Sequence, residues 1–234
     1  MVVSIVLLSL GAAMAAVFIF SKVTSYSPKT IVFKTLASLF FVALGIYLVV
    51  TVPGHVYLKA FLLAGLIFGL LGDFLLGFKW TDGKRRKMWL LAGLFAFAFG
   101  HISYIVALFL EYYVAGNILF IFLPFITAGC ISAIYMLIFY KVGVRFGKVL
   151  PFGVFYLFCL TSMVSTAFYM CLLHGFSIIP LTMFFCGAIF FAASDSMLTG
   201  AYFRPGQRSK AYLAIYSVFY YIAQFAIAFS IFFL

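Results

Sequence analysis

Residues 57–78, YLKAFLLAGLIFGLLGDFLLGF, decide the fold. The stretch can cross the hydrocarbon core of a bilayer as a helix, which takes about 20 mostly apolar residues. Its Leu, Phe, Ala and Ile run on continuously instead of alternating with polar residues, which favours a membrane helix over a strand of an outer-membrane barrel. It also holds Asp73, one of four acids in the whole chain. An ionisable group at that depth costs at least ~2.5 kcal/mol at mid-bilayer on insertion scales, so it is a functional hypothesis by default.

Similar apolar segments cover 2–20, 31–50, 88–110, 117–140, 149–172, 178–200 and 211–233, with Gly, Pro and polar residues at the short joints between them. The chain is 68% hydrophobic and 8% charged, with a mean hydropathy of +1.28, too little polar surface for a soluble protein. The expected fold is therefore all-α, a polytopic membrane bundle of eight transmembrane helices forming a single integral membrane domain over 1–234. The first segment lacks a basic leader, which favours a spanning helix over a cleaved signal peptide. Pro28, Pro53, Pro151, Pro180 and Pro205 fall in or beside joints, and only Pro124 lies well inside a helix.

The net charge of +11 would suggest nucleic acid in a soluble protein, but its distribution argues otherwise. Of 15 basic residues, 13 fall in the odd-numbered loops: Lys22, Lys29, Lys79, Lys84, Arg85, Arg86, Lys87, Lys141, Arg145, Lys148, Arg204, Arg208 and Lys210. Lys59 opens the third segment and Lys34 lies within the second. The positive-inside rule puts the odd loops in the cytoplasm and both termini on the extracytoplasmic side. A bacterial cytoplasmic (inner) membrane is the expected location, with the lipid bilayer as surroundings and no nucleic acid as partner.

Asp195 in FFCGAIFFAASDSML is a second acid inside an apolar segment. An offset of 122 residues lays Asp73 on Asp195 and Leu76 on Leu198, and it brings His101 within one position of Gln224. Four plus four helices would form a parallel repeat. Six residues separate Asp73 from Lys79 and nine separate Asp195 from Arg204, so both carboxylates are expected about 9 to 14 Å below the cytoplasmic boundary. His101 and Gln224 are expected roughly 20 Å deep. With Lys34, these groups can line a polar pocket open to the cytoplasmic leaflet. The bland alternative makes the acids structural, neutralised by Lys34 or by hydrogen bonds from Ser194, Tyr and Gln.

His101 and Tyr104 share a helical face. The histidine can act as a base or orient water, or it can simply bond between helices. Tyr216, Tyr220 and Gln224, four residues apart, form one polar seam that should face the interior. Gly65, Gly69 and Gly72 make a small-residue face for close packing beside Asp73. His55 and His174 fall in turns and read as surface residues. Cys130, Cys159, Cys171 and Cys186 form no CxxC pair and read as buried packers, with no metal site and no cofactor expected.

At these residues the chain resembles the YhhN family of eight-helix membrane proteins, which includes the lysoplasmalogenases. The resemblance is carried by Lys34-Thr35, Gly72-Asp73 with Leu75 and Leu76, His101 with Tyr104, Ser194-Asp195 with Leu198, and Tyr220-Tyr221 with Ala223-Gln224. Thr35 stands where the family usually has proline. The resemblance implies hydrolysis of the vinyl ether of a lysoplasmalogen, with Asp73, Asp195 and His101 as catalytic residues and Lys34, Tyr104, Tyr220, Tyr221 and Gln224 contacting the lipid. The chemistry calls for a protonated carboxyl, a second carboxylate and a group that positions water, with the two aspartates left interchangeable. The rival is a proton-coupled transporter of a small molecule or lipid that uses the same acids. A non-catalytic lipid-binding protein is a third reading.

Overall fold

A computed structural model describes residues 1–79, 81–204, 206–207 and 209–234. Arg208 and Pro205, assigned above to the seventh loop, and Trp80 lie outside the described residues. The chain forms α1 (Val2–Thr24), α2 (Pro28–Thr51), α3 (Val56–Phe78), α4 (Arg86–Tyr112), α5 (Leu119–Lys141), α6 (Leu150–Leu173), α7 (Ile179–Phe203) and α8 (Lys210–Ser230). All eight are long and apolar enough to cross a membrane, the architecture of a multi-pass integral membrane protein.

Local chemistry sets the helix ends. Pro28, Pro151 and Pro180 occupy first turns, where a missing N–H costs nothing. The Ser27 N–H donates to Thr30 Oγ1 at 3.1 Å, and Ser209 Oγ caps α8 by accepting from the Tyr212 N–H at 3.2 Å. Lys59 is buried, and its ammonium donates to the carbonyls of Val49 and Val52. It thereby closes the C-terminus of α2, where the helix dipole favours a cation.

Several sequence expectations change: Lys29, Arg86, Lys87, Lys141 and Lys210 lie in helix ends and not in loops, and His174, read as a surface residue, is half-buried and bonds the Tyr112 carbonyl at 2.9 Å. α1 runs four residues beyond 20, so Lys22 belongs to its last turn and not to a loop. Cys159 and Cys171 are buried packers as expected, but Cys130 and Cys186 are exposed on outward helix faces. An apolar face turned to lipid has no need to bury its thiol.

Neighbouring helices pack in a ring, α1–α2–α3–α4–α6–α7–α8 and back to α1, while α5 lies outside against α6. α8 also reaches inward to α2 and α3, which places its Tyr216, Tyr220 and Gln224 seam in the interior. At the end away from the basic loops the bundle is filled. Leu44, Leu48, Leu58, Leu62, Leu66, Leu108, Met163, Met170 and Phe184 are all buried there.

Candidate functional site

The small-residue face of α3 lets its neighbours close on Asp73. A Cβ at Gly65 would sit 2.2 Å from the Tyr104 ring, at Gly69 2.6 Å from Gln224 Nε2, and at Gly72 2.6 Å from the Phe97 ring. A methyl group at any of the three would require the facing side chain to move. Asp73 is 1% exposed. Its Oδ1 meets Lys34 Nζ of α2 at 2.8 Å. Its Oδ2 accepts from Ser38 Oγ at 2.5 Å and from the Tyr220 hydroxyl of α8 at 2.7 Å. Gln224 Nε2 donates to the Tyr220 oxygen at 3.0 Å, and the Tyr104 hydroxyl donates to Gln224 Oε1 at 3.4 Å. A buried carboxylate needs such partners; α2 and α8 supply those that touch it, and Tyr104 of α4 joins the network through Gln224.

The surroundings hold the ion pair in place. The Tyr221 hydroxyl donates to the Lys34 carbonyl at 3.3 Å, joining α8 to α2. Tyr26, in the α1–α2 joint, donates to the Gly77 carbonyl at 3.1 Å. Burial, and next the Asp73 carboxylate, push the Tyr26 hydroxyl above its ordinary range, so it serves as a donor and not as a base.

Asp195 of α7 is differently equipped. The Tyr156 hydroxyl of α6 donates to its Oδ2, and His101 Nε2 of α4 lies 3.2 Å from the same tyrosine oxygen. Tyr156 spends its one proton on the carboxylate, so His101 Nε2 is the donor to Tyr156, a tautomer assigned from the network. Among the described residues, buried His101 Nδ1 has no hydrogen-bond partner. Ser194, one residue away, turns its hydroxyl to the Tyr216 carbonyl at 2.9 Å. Among the described residues no cation pairs with Asp195. Phe191 stands between the two networks, its ring centroid 4.9 Å from that of His101 and 5.5 Å from that of Tyr220.

Both carboxylates line one pocket. Lys22, Tyr26, Lys34, Tyr156, Ser217 and Tyr220 supply the rest of its polar surface that matters here, and Phe18, Leu90, Phe97, Phe139 and Leu160 supply apolar walls. Every lining residue comes from the half of the bundle that carries the basic loops. The other half is the packed core described above, so the pocket is one-sided.

Of the residues singled out in the sequence, Asp73, Asp195, Lys34 and Tyr220 line this pocket. His101, Tyr104, Tyr221 and Gln224 stand behind it, bonded to residues of the site or its frame. Sequence reasoning missed Tyr156, Ser38, Tyr26 and Lys22 as pocket groups or ligands of the acids. A signal for one existed: the offset of 122 residues carries Lys34 onto Tyr156. Among the described residues no three His, Cys, Asp or Glu side chains gather to hold a metal.

The family model for the YhhN family matches residues 29–231, and the chain belongs to that family. No curated protein sequence matches the chain, and neither does any solved structure.

Proposed function

We propose that this YhhN-family protein is a lysoplasmalogenase-like hydrolase of the cytoplasmic membrane, cleaving the vinyl ether of a lysoplasmalogen to a fatty aldehyde and a glycerophospho-head-group. One observation carries the reading. Two buried carboxylates with unlike partners, Asp73 with an ammonium and Asp195 without one, line a single apolar pocket closed at one end of the bundle. A transporter would need access from both ends in turn, which a packed core does not favour.

Roles follow from the partners. Tyr156 occupies Oδ2 of Asp195 and leaves Oδ1 to carry a proton. In the reaction Asp195 gives that proton to the β-carbon of the vinyl ether, and the adjacent carbon becomes an oxocarbenium ion. Asp73, ion-paired with Lys34, faces the developing positive charge. Water adds to the oxocarbenium carbon and yields its proton to Asp195, restoring the acid. The hemiacetal then collapses, its hydroxyl proton passing to the departing glycerol oxygen. His101 acts through Tyr156 as a positioning residue, since the tyrosine lies between it and the carboxylate.

The test is aldehyde release from a lysoplasmalogen by the purified protein and by its Asp73→Asn and Asp195→Asn variants. Turnover by the wild type with a loss of at least about 100-fold in each variant is expected. No turnover by the wild type, or full activity in both variants, sinks the proposal.

A further inference from the structure

Lys22 is the charge in the pocket that the proposed chemistry leaves unused. α1 carries it in its last turn, with Nζ donating to Ser217 Oγ of α8 at 2.7 Å and standing 3.9 Å from the Tyr216 ring centroid. Among the described residues no carboxylate lies within ion-pair distance of it. Lys34, which the family resemblance makes a lipid contact, is committed to Asp73. An ammonium positioned over an aromatic ring, beside apolar walls and without a counter-ion, is half of an ion pair.

Charge and shape define the other half. With Asp195 carrying the proton it must deliver, the pocket's Lys22, Lys34 and Asp73 leave one positive charge in excess. A phosphodiester supplies one negative charge. The ammonium has three donors, and among the described residues one is spent, on Ser217, which leaves two for phosphate oxygens. Phe18, Leu90 and Phe97 wall the same pocket and suit a single alkyl chain.

We propose that Lys22, steadied by Ser217 and Tyr216, is an anion subsite that binds the phosphate of a single-chain phospholipid and sets its reactive end against Asp73 and Asp195. The subsite rests on the reading that this pocket receives a lipid. It makes the ligand an amphiphile whose anionic phosphate is the recognised group, and it gives that phosphate a place at the α1–α8 seam.

The experiment measures binding and needs no bond cleavage. The purified full-length protein in neutral detergent is titrated with a lysophosphatidylethanolamine and with the monoacylglycerol of the same chain. A charge-assisted contact predicts a preference of about 10-fold or more for the phosphorylated lipid. Lys22→Met should abolish that preference, and Lys22→Arg, which keeps the charge, should retain most of it. An undiminished preference in Lys22→Met, or none in the wild type, overturns the subsite. Inorganic phosphate is the second arm: failure of millimolar phosphate to displace the lipid supports a lipid head group, whereas displacement as effective as by the lysophospholipid itself overturns the lipid assignment in favour of a soluble phosphate. Lys22-dependent binding without aldehyde release from lysoplasmalogen leaves the subsite standing and removes the hydrolase. Aldehyde release without Lys22-dependent preference does the reverse.

Discussion

The Tyr156 hydroxyl donates to Asp195 from the position that corresponds, 122 residues on, to the lysine that pairs with Asp73. Lys34 of α2 and Tyr156 of α6, 122 residues apart in sequence, thus hold the two acids by different means. An ammonium fixes charge on its partner, while a phenol orients its partner and leaves it able to exchange a proton. The division of labour proposed for the two carboxylates comes from this inequality.

The ion pair should be costly to break and cheap to remove whole. Lys34→Met leaves Asp73 buried opposite an apolar side chain, and a loss of about 3 kcal/mol in unfolding free energy is expected. Adding Asp73→Asn should recover most of it. Thermal unfolding in detergent checks both, and a double variant as unstable as the two single losses summed contradicts the pairing.

Tyr156 and His101 should behave as one unit. Tyr156→Phe is expected to lower kcat by about 10-fold or more, and His101→Phe by less. In the Tyr156→Phe background the histidine change should add almost nothing, since its path to Asp195 is already cut. Independent, multiplying effects on kcat would show that His101 acts elsewhere.

Close approach on α3 sets a steric test. Gly69→Ala drives a methyl group toward Gln224 Nε2, from which an ideal Cβ stands 2.6 Å, and should cost about 1–3 kcal/mol. It should also weaken the Gln224–Tyr220–Asp73 chain, and with it kcat. Gly129→Ala on α5 meets nothing within 4 Å and should be neutral or stabilise the helix by up to about 1 kcal/mol. Equal destabilisation by the two changes argues against the packing described.

Asp82 offers a pH test outside the membrane spans. Its carboxylate accepts from the Trp89 indole N–H at 3.1 Å and the Arg85 N–H at 3.2 Å, and these bonds, the indole's first, hold it below the ordinary 3.8. Because the folded value is depressed, the contact is present above the unfolded value and is lost as pH falls through the folded one. The Trp89 indole N–H resonance should therefore move with a midpoint below 3.8. A midpoint at or above that value excludes the bond.

Hydropathy and loop charge revealed the eight helices because a bilayer demands long apolar spans whatever packs against them. Asp73 and Asp195 stood out for the same reason: acids are rare at that depth. Tyr156 did not, being one of 15 tyrosines in a chain with 33 phenylalanines, on a helix whose apolar residues run all round it. Lys22 was hidden by a helix end, since hydropathy stops where α1 continues to Thr24. Which of His101, Tyr104, Tyr221 and Gln224 would stand behind the pocket depended on helix rotation, which periodicity cannot fix when most faces are apolar.

The most direct measurement is hydrolysis of a lysoplasmalogen by the purified protein in deuterium oxide, with the aldehyde trapped as it forms. Protonation of the β-carbon by Asp195, whose exchangeable proton comes from solvent, predicts one deuterium on the carbon next to the aldehyde group. Absence of aldehyde, or aldehyde bearing no deuterium there, contradicts the account.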